Sequence, residues 1–406
     1  MHGEISLQGA KNAILPILAA ALVSQKPVHL SNCPSIGDVD CMLDILRSIG
    51  SSVTQEGQRI HIDSKEAGCF DIPDDSVKQV RSSIVFLGAV LARFGRAVIS
   101  YPGGCEIGLR PIDLHLKALR RMGVEIEEER GRLHCTCRDL KGALIHLDYP
   151  SVGATENIML TALAAKGCTI VHNAAREPEI KDLADAINAM GGSVRGAGGP
   201  TILIDGGGNW REMEHRIIPD RIAAGTFISC VAAAGGDVNI RNVCPAHLDA
   251  VLSKLEEAGC EIESTADTIT VRRLQKLKAV ERVVTMPYPG FPTDMQAQFT
   301  AILALAEGTS IVTENIFENR FKHVPQLRKM GAHIMVEGRT AIIQGCDLRG
   351  SRVEAGDLRG GAALCAAGLG ASGTTVVDRI EYIRRGYEDL AGTLQSIGAS
   401  IVERES

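Results

Sequence analysis

One short signature, a helix end closed by glycine, recurs six times along the 406 residues: DILRSIG at Gly50, ALRRMG at Gly123, INAMG at Gly191, LEEAG at Gly259, LRKMG at Gly331 and LQSIG at Gly398. Successive glycines are 67 to 73 residues apart, which marks a tandem structural unit. Each is followed by a β-like segment: SSVTQ, VEIEE, GSVRG, CEIES, AHIMV or ASIVE. Upstream of each lies an Ala-rich helix and then a strand, as in ILPILAAALVSQ with VHLSN and NIMLTALAAKG with TIVHN. Helix and strand alternating at short loop lengths predict an α/β fold. The Ala-rich helices are apolar almost all round and must be interior. Strands such as HIDSK, LIHLD and TILID alternate, as strands with one wet face do. Helices inside and sheets outside satisfy both patterns, with three units in each of two similar domains.

The repeat also aligns polar positions. Counting back from equivalent strand residues, five of the six interior helices start on a charge: Lys11, Arg81, Arg221, Asp294 and Arg359. The third starts near Ser151 and Val152 without one. Lysine and arginine oppose the dipole at a helix N-terminus, so a polyanionic ligand is expected to compensate them. A second ring of candidates lies in the strand-to-helix loops: Cys105, Arg110, Glu177, Arg320, Arg384 and Arg385. In YPGGCEIGLRPID, two glycines permit a tight turn, and Arg110 is a permanent cation of the kind that lowers a thiol's pKa. Cys105 therefore reads as a reactive cysteine beside an anionic substrate, although most of the 12 cysteines are expected to be small buried hydrophobes.

Composition narrows the function. With 3% aromatic residues and a net charge of −6, a stacking or general electrostatic surface for nucleic acid is disfavoured. No basic segment leads into a long apolar run, so the chain reads as cytoplasmic, with reduced thiols and no membrane partner. Cys135 and Cys137 beside His134 lack a second ligand pair, and RLHCTCR reads as an alternating strand, not a zinc site. P-loop, GxGxxG, HExxH and GxSxG motifs are not found.

Together, GAKNAILP, PGGCEIGLRPIDLH, SVGATENIM, NAAREPEI, PDRIAAGT, FPTDMQAQ, ENRFKHV, DLRGG and DRIEYIRRGYE resemble the UDP-N-acetylglucosamine 1-carboxyvinyltransferases, the enolpyruvyl transferases that begin peptidoglycan precursor synthesis. The resemblance covers essentially the whole chain. It implies an inside-out α/β barrel in two domains, residues 1–11 with 219–406 and residues 12–218, with a substrate cleft between them. Ahead of LQGAKN the family pattern carries further residues that contribute a strand, so either the start is internal or an edge strand is missing here.

The resemblance also implies roles. The enolpyruvyl group of phosphoenolpyruvate passes to the 3-hydroxyl of the sugar through a tetrahedral intermediate. Cys105 would protonate the methylene and can form an adduct; Asp294 would orient or deprotonate the hydroxyl. Lys11 and Arg110 would hold phosphate, Arg320 and Arg385 the carboxylate, and Arg81 adjacent substrate groups. Asn12, Arg110, Pro111, Ile112, Asp113, Leu114, Ser151, Val152, Gly153 and Ile316 would contact the nucleotide sugar. Glu177, Arg221, Asp357 and Arg359 match polar positions of the cleft, Arg359 among the substrate-binding set. No metal or cofactor is expected, and the chain is expected to act as a monomer. The alternatives are a 3-phosphoshikimate-type enolpyruvyl transferase and a silent nucleotide-sugar-binding paralogue.

Overall fold

A computed structural model describes residues 1–101, 103 and 112–404. Cys105, Arg110 and Pro111 lie outside the described residues. By their contacts the described residues form two compact units, one of residues 1–8 and 219–404, the other of residues 9–218. Lys11, assigned to the first domain by the sequence boundary, belongs by its contacts to the second unit.

Each unit is built on three buried helices. In residues 9–218 these are α1 (Lys11–Ser24), α2 (Val85–Phe94) and α3 (Val152–Ala162); in the other unit they are α4 (Arg221–Ala234), α5 (Gln296–Leu303) and α6 (Leu358–Gly370). Every residue of α1 except Asn12 is buried, as is every residue of α4 except Ala234. Neither helix has a polar stripe, so each can be satisfied only by apolar neighbours on all sides. Each large aliphatic side chain buried this way, such as Ile14, Leu18 or Ile228, contributes about 1.5–3 kcal/mol relative to exposure.

The sheets lie outside these helices. In the third and fifth repeats the strand after the buried helix pairs in parallel with a strand preceding that helix. Its other edge takes the hairpin that follows the outer helix, as in Leu144–His146, Cys168–His172 and the hairpin of Ser193–Arg195 with Thr201–Asp205. The first and fourth repeats exchange their leading strands: Met213–Arg216 pairs with Val28–Ser31, and His2–Ser6 pairs with Gly236–Arg241. His2–Ser6 is thereby an edge strand of its sheet. One inward side chain, Ile5, anchors it, and the terminal ammonium donates to the Gly235 carbonyl at 2.9 Å.

Backbone conformation repeats with the sequence signature. All six signature glycines have φ between 88° and 103°, the left-handed region that glycine enters without a Cβ clash. Asn32, Asn173 and Asn242, each just past the strand that follows a buried helix, also have positive φ. Their side-chain amides donate to Ile217, Leu147 and Leu7, the carbonyls just beyond the parallel strand. The sixth repeat departs. ASIVE was expected to be a strand, but the residues after Gly398 are irregular; its sheet has only Arg352–Glu354 and Val376–Asp378 among the described residues. In the other repeats that segment is held by a hairpin partner, and none is described here. Among the described residues, no helix is long and apolar enough to cross a membrane.

Candidate active site

The two central repeats break the start of their buried helices. Arg81, expected as the first residue of a helix, opens a 3₁₀ turn Arg81–Ile84 ahead of α2, and Asp294 sits in a 3₁₀ turn Thr293–Met295 ahead of α5. The cause of the first break is Asn157 of α3. Its carboxamide accepts from the Gly88 amide at 2.7 Å and donates to the Ile84 carbonyl at 2.9 Å, inserting between two groups that an uninterrupted helix would pair directly. The approach requires glycine at 88, because a Cβ there would lie 2.5 Å from the Asn157 carbonyl oxygen.

The second Asn157 hydrogen faces Nδ1 of His115 at 2.7 Å. His115 therefore accepts at Nδ1 and carries its proton on Nε2. Burial, and then the charge of Arg81, push its pKa down to about 4. Gly153 lies against the same ring. Arg81 and the Ser151–Gly153 start of α3 thus meet around a neutral histidine. Ser151 caps that helix by accepting from the Ala154 amide, and Ile112 stands at the N-cap position of the helix Asp113–Arg121 that carries His115. Asp113 is exposed, while Asn12, Leu114 and Val152 are half-buried. Glu156, inside α3, has its pKa raised far above the carboxylate range by burial and then by the charges of Glu179 and Glu177.

Lys11 is not left uncompensated against its helix dipole. Its Nζ lies 2.6 Å from Oδ2 of Asp38, and both residues are buried. At this helix start a protein carboxylate supplies counter-charge alongside whatever anion binds.

The other unit has a comparable arrangement. Asp294 accepts from Arg320 on Oδ1 at 2.8 Å and from Nε and Nη2 of Arg359 on Oδ2 at 3.3 and 3.1 Å. The arginine side chains are only 4% exposed, whereas Asp294 remains 25% exposed. An ionised carboxylate offers about four lone-pair directions. Three are met by guanidinium donors of Arg320 and Arg359. Burial works against the charge of Arg359, but Tyr387, Asp294 and Asp220 more than offset it and hold the group cationic. Asp220 caps α4 through the Ile222 and Ala223 amides, and Asp357 caps α6 through those of Arg359 and Gly360. Charges at the starts of α4, α5 and α6 therefore act on one another.

Arg221, first in α4, is buried with its guanidinium 5.6 Å from the Tyr288 ring centre. The Ile316 amide donates to Glu314. Arg385 closes the short helix Glu381–Arg384, and the turn is fixed by Gln8, which donates to the Gly386 carbonyl and accepts from the Glu388 amide. Arg384, by contrast, pairs with Glu403 at the surface. His323 is buried beside Asp357 and Arg320, and burial pulls its pKa down to about 4. Cys135 and Cys137 lie on and just after the strand Arg132–Thr136, with Cys135 buried. Sequence reasoning missed Asp38, His115, Asn157 and Tyr387. His115, Asn157 and Tyr387 lie inside motifs already singled out, but His115 and Asn157 meet across two repeats and Tyr387 bonds Thr226 of another.

A family model described as EPSP synthase (3-phosphoshikimate 1-carboxyvinyltransferase) matches residues 1–394. The chain is 51% identical over 403 residues to UDP-N-acetylglucosamine 1-carboxyvinyltransferase 2 of Caldanaerobacter subterraneus subsp. tengcongensis, covering 99% of this chain and 97% of that one. It is 50% identical over 402 residues to UDP-N-acetylglucosamine 1-carboxyvinyltransferase 1 of Carboxydothermus hydrogenoformans, covering 99% and 95%. The crystal structure of the enolpyruvyl transferase NikO from Streptomyces tendae matches with a TM-score of 0.89 at 25% identity, over 99% of this chain and 97% of that one. The fold is thus the two-domain inside-out α/β barrel of these enzymes. The chain is a member of the EPSP synthase family of carboxyvinyltransferases and belongs with its UDP-N-acetylglucosamine 1-carboxyvinyltransferases.

Proposed function

We propose that this chain transfers the enolpyruvyl group of phosphoenolpyruvate to the 3-hydroxyl of UDP-N-acetylglucosamine, releasing phosphate, in the cytoplasmic synthesis of peptidoglycan precursors. The observation that carries the reading is near-full-length identity of about half to enzymes named for that activity.

The chemistry asks for an acid, a base and cations. Protonation of the methylene carbon by Cys105 makes the adjacent carbon electrophilic. The sugar oxygen bonds to it while the Asp294 carboxylate takes the hydroxyl proton. The resulting tetrahedral intermediate loses a methyl proton and expels phosphate, restoring the double bond. Lys11 and Arg110 are assigned to the phosphate, Arg320 and Arg385 to the carboxylate and Arg81 to adjacent substrate groups, where fixed cations stabilise the developing charge. Asn12, the segment 110–114, Ser151, Val152, Gly153 and Ile316 are assigned to the nucleotide sugar. Glu177, Arg221 and Asp357 support the surrounding polar frame.

Phosphate release measured side by side with UDP-N-acetylglucosamine and 3-phosphoshikimate tests the reading. Turnover with the first acceptor alone is expected, together with loss of the phosphoenolpyruvate adduct, read by intact mass, in Cys105→Ala. Turnover with 3-phosphoshikimate, or an adduct that persists on another cysteine, would overturn it.

A further inference from the structure

A buried polar chain runs from the middle of the helix bundle to Asp294. Arg359 has three donor positions in use: Nε and Nη2 on Asp294, and Nη1 on the Tyr387 hydroxyl at 3.1 Å. The Tyr387 hydroxyl also lies 2.8 Å from Oγ1 of Thr226 on α4. Thr226 in turn donates to the Ile222 carbonyl at 2.9 Å and accepts from Nε2 of Gln298 on α5 at 2.9 Å. Tyr387 is 2% exposed, and Thr226 and Gln298 are fully buried.

The direction of every hydrogen in this chain is fixed. Arginine can only donate, so the Tyr387 oxygen accepts from Arg359 and its own hydrogen must go to Thr226. Thr226 can accept it because its single hydrogen is spent on Ile222 within the same helix. The guanidinium of Arg359 is planar, so anchoring Nη1 at Tyr387 sets the bearing of the Nε and Nη2 edge that meets Asp294.

We propose that Tyr387 and Thr226 are positioning residues for the reaction: Thr226 orients the Tyr387 hydroxyl, which holds Arg359 in the geometry that aims the Asp294 carboxylate. The proposal rests on the assignment of Asp294 as the group that receives the sugar hydroxyl. Neither residue touches substrate. Misplacing a reacting group by about 1 Å costs about 100-fold in rate, and a carboxylate held on both oxygens is sensitive to loss of one holder.

The test is steady-state phosphate release for Tyr387→Phe, Thr226→Val, Thr226→Ser, the Tyr387→Phe/Thr226→Val double variant and Asp294→Asn, with folding checked by thermal melting. Tyr387→Phe and Thr226→Val are expected to lower kcat by about 10- to 100-fold, with KM for both substrates within about twofold of the parent. Thr226→Ser, which keeps the acceptor oxygen, should recover the rate, and the double variant should lose no more than Tyr387→Phe alone because both act through one path. If Tyr387→Phe fails to fold, the contrast between Thr226→Val and Thr226→Ser still decides. Parent kcat in Thr226→Val and Tyr387→Phe alongside an inactive Asp294→Asn would overturn the proposal, as would Thr226→Ser being as slow as Thr226→Val. Parent kcat in Asp294→Asn would instead remove the underlying assignment, and the proposal with it.

Discussion

Acid should loosen the unit of residues 9–218 in a way that traces to His115. Its pKa falls from an ordinary 6.5 to about 4 because burial disfavours the cation, and the nearby Arg81 adds to this. Unfolding releases the ring to its ordinary value, so between pH 6.5 and 4 the unfolded chain binds more protons. The contribution is complete above pH 6.5 and is lost as pH falls toward 4. At about 1.4 kcal/mol per pH unit the full loss is about 3 kcal/mol, most of it reached by pH 4.5. The chain has one tryptophan, Trp210, which packs against the core of this unit, so its fluorescence follows the unit's unfolding in urea. His115→Gln leaves an oxygen to accept from Asn157 but has no proton to gain. Between pH 7 and 4.5 the parent midpoint should fall by about 1 M urea more than that of His115→Gln, taking a slope near 2–3 kcal/mol/M. Every other acid titration is common to both proteins and cancels. Equal falls in the two would refute the reasoning.

The same fluorescence assay reads three further outcomes. Asn157→Ala removes the partner of the Gly88 amide and the Ile84 carbonyl and opens a small cavity, so at pH 7 it should cost about 2–4 kcal/mol. Asp38→Asn leaves the buried Lys11 ammonium without its carboxylate and should cost about 3 kcal/mol, most of which Lys11→Met in the same chain should recover. Glu156→Gln should stabilise the unit, and more at pH 8 than at pH 5. Burial and neighbouring carboxylates raise the Glu156 pKa in the fold above its ordinary 4.5, so as pH rises the unfolded chain gives up this proton first, a penalty that glutamine does not carry.

Much of the architecture was legible because each repeat states it again. A glycine with positive φ ends each outer helix, and the evenly apolar helices could only be interior, so six copies averaged out the ambiguity of any one. What depends on a single copy was harder to read. The sixth repeat has the same β-like segment as the others and does not form the strand, since a strand is a property of its partner as well as of its own residues. The 3₁₀ breaks at Arg81 and Thr293 are invisible in local propensity; the first depends on Asn157, more than 70 residues downstream of Ile84.

The charges at the helix starts show how far local reasoning reaches. Lysine and arginine there do oppose the dipole, and the inference that something must compensate them holds for Lys11 and Arg359. The compensating groups are carboxylates, Asp38 on the neighbouring outer helix and Asp294 just ahead of the preceding repeat's buried helix. Both pairs bring elements distant in sequence into contact, which no spacing rule reports. The consequence for chemistry is that these cations are already held in place by protein groups before any substrate arrives. An arginine fixed by a carboxylate and a tyrosine loses little rotamer freedom on binding, and stabilises developing charge without having to move at the moment of reaction. A ligand that alone satisfied those cations would have had to order them first.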